Sequence, residues 1–285
     1  MPRKSSLFLS LAPALFVTGA LTLSGALYGL AQSFGYLPLA GGWHFSAQAY
    51  RNLFAVREFW VSLGFSLWVS AASTLLAAVG ALALGLVLSR RKAAGDTFAL
   101  HWNLAFPHLV WAVGLLLALS QSGLLARWAA AAGFIDAPAQ FPVLVRDRYG
   151  LGIILHYVSK EIPFLTLIVL AVLRSQAEGY QLVAQNLGAS WGQRLRWVVW
   201  PQVRPALVSG ALLVFAYIFG AYEVPALLGV RYPRVLAALG LEYFLDPDLH
   251  RRAEGMAVGV VLALVVLLAA LGSQRLRTAG EESAR

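Results

Sequence analysis

Six stretches of this chain run for about 20 residues or more with almost no charge, and that pattern constrains its fold more than any other feature. A helix crossing bilayer hydrocarbon needs about 20 mostly apolar residues, because every backbone amide must find its partner inside the segment. The stretches lie within residues 5–50 (7–30 the most apolar part), 59–89, 97–126, about 150–173, about 205–229 and 255–274. The fourth is interrupted by Lys160 and Glu161, and the fifth carries Glu223 near its end. Composition agrees: only 12% of residues are charged, where soluble domains carry about a quarter. An all-α integral membrane fold with six spans is therefore expected.

Arg3 and Lys4 precede the first run, as in a secretory signal. A signal's apolar region is about 7–15 residues and ends at a small-residue cleavage site, whereas this run is longer and ends vaguely, so a retained span is expected. Six spans place both termini on one side, and loop Lys/Arg bias indicates which. Arg3, Lys4, Arg90, Arg91, Lys92, Arg174, Arg194, Arg196, Arg204, Arg275, Arg277 and Arg285 fall on the terminal side; Arg51, Arg57, Arg127, Arg146, Arg148, Arg231, Arg234, Arg251 and Arg252 fall on the other. The bias, twelve to nine, predicts cytoplasmic termini and a multi-pass protein of the cell (inner) membrane.

The net charge of +9 does not indicate nucleic acid, since the basic residues are scattered between apolar runs instead of forming a continuous face. Without cysteine there is no disulfide, thiolate metal site or cysteine nucleophile. Neither G-x-S-x-G nor H-E-x-x-H occurs, and His101 and His108 lack a third ligand nearby, so neither hydrolase chemistry nor a metal site is expected. Down the second run, Ser62, Ser66, Ser70, Ser73 and Ala77 recur at helical spacing with Gly80 and Gly85 beyond, a stripe that lets helix backbones approach closely in lipid.

Between the fourth and fifth runs the chain reads SQAEGYQLVAQNLGASWGQRLRWVVWPQVRP. Two short helices separated at Gly188 are expected. Ser190 and Gln193 form an S-x-x-Q capping box for the second. In it Trp191, Leu195, Val198 and Val199 make one apolar stripe, with Arg194 and Arg196 off it, and Pro201 is expected to stop the helix. Periodicity alone leaves two readings: a helix resting on the inner leaflet, its tryptophans among headgroups, or a handle gripped by another protein.

Spacing bears on that choice. Leu182, Val183 and Ala184, then Gly188, then Val198, Trp200 and Pro201 resemble the signature of permease subunits of binding-protein-dependent ABC importers, written E-A-A, three residues, G, nine residues, I-x-L-P. Gly188 and Pro201 stand thirteen apart as in that motif; Leu182 replaces its acid, Val183 its first alanine and Trp200 its leucine. SKEIPF at 159–164 and FGAYEVPALLG at 219–229 resemble segments of the branch that includes importers of polyamines, ferric iron, thiamine and sulfate. The resemblance implies a type I ABC importer permease fold whose cytoplasmic coupling helix docks in a cleft of a separate ATPase. Leu182, Val183, Ala184, Gly188, Ser190, Trp191, Arg194, Arg196, Val198, Trp200 and Pro201 would form this coupling site.

Within the spans, Lys160 and Glu161 are too costly to expose to lipid, about 2.5 to 3.5 kcal/mol each, and must face protein or a wet cavity. Adjacent residues point about 100° apart on a helix, so each needs its own partner. His156, Lys160, Glu161, Pro163, Tyr222, Glu223 and Pro225 are the candidates for a pathway or gate; structural pairing or snorkelling is the other reading, with Glu223 able to pair with Lys160.

The expected organisation is residues 1–56 (first span and outer loop), 57–274 (permease domain, coupling loop 175–204) and 275–285 (cytoplasmic tail). The resemblance implies no catalysis and no bound cofactor in this chain, which lacks a G-x-x-x-x-G-K-[ST] loop; ATP and magnesium would sit on partner ATPase subunits. A second permease subunit, identical or related, and an extracytoplasmic solute-binding protein complete the expected assembly. The solute is expected to be small and polar or charged, a polyamine-type cation first, with iron, thiamine or sulfate as others. An ion-gradient-driven secondary transporter or channel is the alternative.

Overall fold

The computed structural model describes residues 4–38, 44–89, 94–174 and 178–282. Arg3, the Arg90, Arg91 and Lys92 cluster and Arg285, which entered the orientation argument, lie outside the described residues. Thirteen α-helices are found among those described: α1 (Lys4–Ser33), α2 (Gln48–Ala55), α3 (Arg57–Ser89), α4 (Ala94–Ala105), α5 (His108–Leu119), α6 (Leu124–Ala131), α7 (Leu151–Val172), α8 (Glu178–Asn186), α9 (Trp191–Arg194), α10 (Trp200–Gly220), α11 (Glu223–Leu228), α12 (Leu236–Phe244) and α13 (Arg251–Glu282). Among the described residues six helical stretches are long and apolar enough to cross a membrane: Leu11–Ser33, Arg57–Ser89, His108–Ala131, Leu151–Val172, Trp191–Gly220 and Arg251–Gln274.

Two of these differ from the expected runs. The third is broken at Phe106 and Pro107: proline has no amide to donate and disfavours helical backbone at the residue before it, so α4 ends and α5 starts at His108. The fifth begins earlier and ends sooner, because the chain turns extended at Ala221 and Glu223 then opens the separate helix α11.

The chain forms two compact units. In one, Met1–Trp60 and Leu239–Leu264, Ser33 at the end of α1 is buried while the apolar side chains of its span stand outside the core and suit contact with lipid. The end of α1 is joined to α2 by a Ser33–Tyr50 hydroxyl bond (2.8 Å), and Asn52 donates to Glu254 (2.9 Å). A Cβ on Gly255 would lie 2.7 Å from the Phe244 amide nitrogen, so α12 and α13 meet backbone to backbone.

The other unit, Val61–Ala238 with Val265–Arg285, is built around α7, most of whose residues are buried. The small-residue stripe of α3 packs on it: a Cβ on Gly80 would meet Ile162 at 2.7 Å and one on Gly85 would meet Val169 at 2.5 Å. Gly210 of α10 admits Ile168 in the same way, at 2.6 Å. Such approach distances replace the hydrophobic drive that lipid does not provide. Ser66 also accepts the Leu236 amide (2.7 Å), satisfying a first-turn donor of α12 from another helix. The start of α7 is capped by buried Asp147, which accepts from the amides of Tyr149 (2.8 Å) and Gly152 (3.3 Å).

Candidate functional site

Between α7 and α10, residues 178–199 fold as a helix–turn–helix set by local chemistry. The Gly188 amide donates to the Gln185 carbonyl and the Ala189 amide to the Ala184 carbonyl, each at 3.0 Å, the paired bonds of a Schellman turn. That turn needs a left-handed residue, and Gly188 has φ +80°. At Ser190 the hydroxyl accepts the Gln193 amide (3.4 Å) while the Gln193 side chain accepts the Ser190 amide (2.8 Å), closing the capping box. The backbone then widens into a π-helical turn over Leu195–Val199 and runs into α10.

Pro201 therefore does not stop the helix, contrary to the sequence expectation. It sits in the first turn of α10, directly after the π-helical turn, in which the Trp200 amide bonds to the Leu195 carbonyl. The wider turn absorbs both the missing amide and the bulk of the proline ring. From Trp191 to Gly220 the second short helix and the fifth span are one continuous helical rod.

On this loop Leu182, Val183, Leu187 and Trp197 are exposed, Leu187 by 82%. Val199 is buried against the span core, while Ala184 and Val198 are half-buried. The two arginines diverge. Arg196 is exposed with its guanidinium 5.1 Å from the Trp197 ring, whereas Arg194 is half-buried and donates to the Gln185 side chain (3.0 Å). Trp191, Trp200, Pro201 and Ser190 remain at the surface.

A second polar group lies within the spans. As their spacing requires, Lys160 and Glu161 take different partners. Lys160 is 2% exposed and its ammonium donates to the carbonyls of Asn103 (2.6 Å) and Phe106 (2.8 Å), at the break between α4 and α5. A cation there matches both the orphan carbonyls and the negative end of the α4 dipole. Glu161 approaches His108 Nε2 at 3.8 Å, and His108 Nδ1 lies 3.2 Å from His156 Nε2. One of those two rings must donate and the other accept. Tyr217 of α10 stacks obliquely on His108, with centroids 5.0 Å apart. Lys160, Glu161, His108 and Tyr217 line a cavity of about 280 Å³ whose remaining walls are apolar, Phe164, Leu213 and Val214 among them.

Of the residues singled out from sequence, His156, Lys160 and Glu161 come together, and Pro163 lies buried in the same helix. Tyr222 and Glu223 are exposed at the start of α11, and Pro225 lines a different cavity with Phe65 and Ile153. Sequence reasoning missed His108 and Tyr217. Pairing His108 with His101 was misleading, since the two sit on different helices; the Phe106-Pro107 break that turns His108 toward α7 was the available signal. It also missed Ser159, whose hydroxyl accepts the Trp111 indole N–H (2.8 Å). Among the described residues no group of three metal-ligating side chains is found. Among the described residues of this group the polar side chains line a cavity and join α5, α7 and α10.

The profile described as "Binding-protein-dependent transport system inner membrane component" matches residues 8–278. The inner membrane ABC transporter permease protein YnjC of Escherichia coli K12 is 32% identical over 202 residues, covering 68% of this chain and 37% of that protein. The chain thus spans little more than a third of that relative's length. The molybdenum transport system permease protein ModB of Mycobacterium tuberculosis is 28% identical, covering 73% and 75% of the two chains. The thiamine transport system permease protein ThiP of Escherichia coli is 29% identical over 77% of this chain and 40% of its own. A solved chain of a bacterial alginate ABC transporter superposes with a TM-score of 0.78 at 18% identity over 96% of this chain and 94% of its own. One from the methionine transporter MetNI gives 0.57 at 17%, over 82% and 99%. These two likenesses are of fold.

Proposed function

Since the chain belongs to the family of binding-protein-dependent transport system inner membrane components, we propose that it is one permease subunit of an ATP-driven importer. It forms half of a translocation path with a second permease subunit, identical or related. Solute arrives from an extracytoplasmic binding protein, and force comes from an ATPase pair gripping the loop of α8 and α9 on the cytoplasmic side. The observation that carries this reading is the loop itself. Gly188 and Ser190 fix two short helices at a set angle, exposed apolar side chains project from it, and it continues without interruption into a span. Motion applied to the loop is thereby delivered to α10, which packs on α7 beside the polar cavity.

The solute is small and polar or charged. A polyamine-type cation remains the first candidate: the Lys160 N–H groups are engaged by two carbonyls, and the Glu161 carboxylate, with His108 and Tyr217 beside it, is the acceptor the cavity offers a cation. His156, Pro163, Tyr222, Glu223 and Pro225 belong to the wider path or gate of this proposal.

The test is uptake into vesicles by the reconstituted complex. Gly188→Trp together with Arg196→Glu is expected to leave membrane insertion intact and abolish ATP-dependent uptake. A complex carrying both changes that retains its ATPase with normal stimulated hydrolysis sinks the coupling assignment. Uptake that survives ATP depletion but collapses with a protonophore sinks the importer assignment.

A further inference from the structure

A cavity of about 510 Å³ opens where α3 and α7 end and the α8–α9 loop begins. Its lining mixes apolar side chains, Leu86, Leu173 and Val199 among them, with polar ones, Gln181, Gln185 and Arg194. Its depth can be read from the chain. The uncharged run of α3 ends at Ser89, followed in sequence by Arg90, Arg91 and Lys92, and that of α7 ends near Leu173, followed by Arg174. Hydrocarbon gives way to headgroups at such a boundary, and basic pockets there hold anionic lipid.

The donor set is selective for an anion. No lining residue is acidic among those described, and the one cation, Arg194, is held in place by Gln185 directly after the capping box. With its Oε1 engaged by Arg194, Gln185 keeps its amide N–H groups for another acceptor. A guanidinium presents a planar fork that matches a phosphate group. Arg196, two residues on, does not line the cavity. The volume falls within the range of about 300–1,000 Å³ common for ligand pockets.

We propose that this cavity binds the anionic phosphate headgroup of a membrane lipid, with Arg194 as its principal cation and the apolar lining residues against the start of the acyl chains. The lipid then joins the α8–α9 loop to the ends of α3 and α7, so that the loop is rigid in an anionic bilayer and loosens in a neutral one. This inference needs only a bilayer and is independent of the importer reading.

The test uses the full chain purified in neutral detergent, its thermal unfolding followed with added phosphatidylglycerol, phosphatidylcholine or inorganic phosphate. Phosphatidylglycerol is expected to raise the midpoint by several degrees; phosphatidylcholine and inorganic phosphate are not. Arg194→Gln is expected to weaken the phosphatidylglycerol response about fivefold, the contribution of one arginine near an anionic surface. Arg194→Lys should keep most of the response and Arg196→Gln all of it. Because Arg194→Gln also loses its bond to Gln185, Gln181→Leu provides a second weakened variant, and lipid retained in native mass spectra provides a readout free of unfolding. Equal stabilisation by phosphatidylcholine, an undiminished response in Arg194→Gln, or an equal loss in Arg196→Gln overturns the proposal. A full response to inorganic phosphate through Arg194 overturns the lipid assignment in favour of a soluble phosphate ester.

Discussion

Replacing Lys160 by methionine separates a lysine that serves the path from one that holds the fold. Its ammonium, nearly without solvent contact, makes bonds of 2.6 and 2.8 Å to the carbonyls of Asn103 and Phe106. Each bond from a charged donor contributes about 1.5–3 kcal/mol, and each buried carbonyl left without a partner costs its own desolvation. Methionine fills most of the vacated volume, so the lower end applies and the loss is about 3 kcal/mol, roughly two orders of magnitude in the folding equilibrium. At about 2–4 °C per kcal/mol, a figure drawn from soluble chains, the unfolding midpoint in detergent falls by about 6–12 °C. Glu161→Gln is the comparison. Its contact to His108 is 3.8 Å, beyond hydrogen-bond range, and the change costs well under about 1 kcal/mol. Thermal unfolding and vesicle uptake are measured on both variants. A Lys160→Met protein as stable as wild type but inactive in uptake would refute the reasoning, because the ammonium would then serve the solute and not the α4–α5 break.

Three further outcomes follow from the packing and the caps. Gly85→Leu drives a side chain into Val169, where a Cβ alone would stand 2.5 Å from a methyl carbon; overpacking of about 1–3 kcal/mol should lower the unfolding midpoint. Ser66→Ala strands the buried Leu236 amide at a cost of about 1–3 kcal/mol, visible as faster hydrogen exchange at the start of α12. The Asp248 amide and the Arg251 guanidinium hold the Asp246 carboxyl below its ordinary value. A depressed folded value means that this stabilisation is complete at neutral pH and lost as pH falls through the carboxylate range, so Asp246→Asn should flatten the acid limb of the stability profile.

Much of the helical loop was legible because its geometry is local. Gly188 is required by a left-handed turn, Ser190 and Gln193 cap each other three residues apart, and neither depends on a distant partner. The stripe from Ser62 to Gly85 was legible for a related reason: a period of 3.6 residues marks one helix face. Pro201 misled because a proline's effect depends on the turn before it, and the π-helical widening over Leu195–Val199 carries no sequence signature that a 3.6-residue period reveals.

The sequence by itself determined that this chain crosses a bilayer several times through helices, since no other arrangement satisfies backbone amides over charge-free runs of such length. It also determined the turn at Gly188 and the need of Lys160 and Glu161 for partners away from lipid. Only the tertiary structure decided which partners they take. The Lys160 contacts join positions 57 and 54 residues apart, and His108 meets His156 across 48, separations set by how α4 and α5 are broken and folded against α7. Periodicity reports the face of one helix, whereas the identity of the opposing face depends on close approach among several helices, and that is a property of the packed molecule.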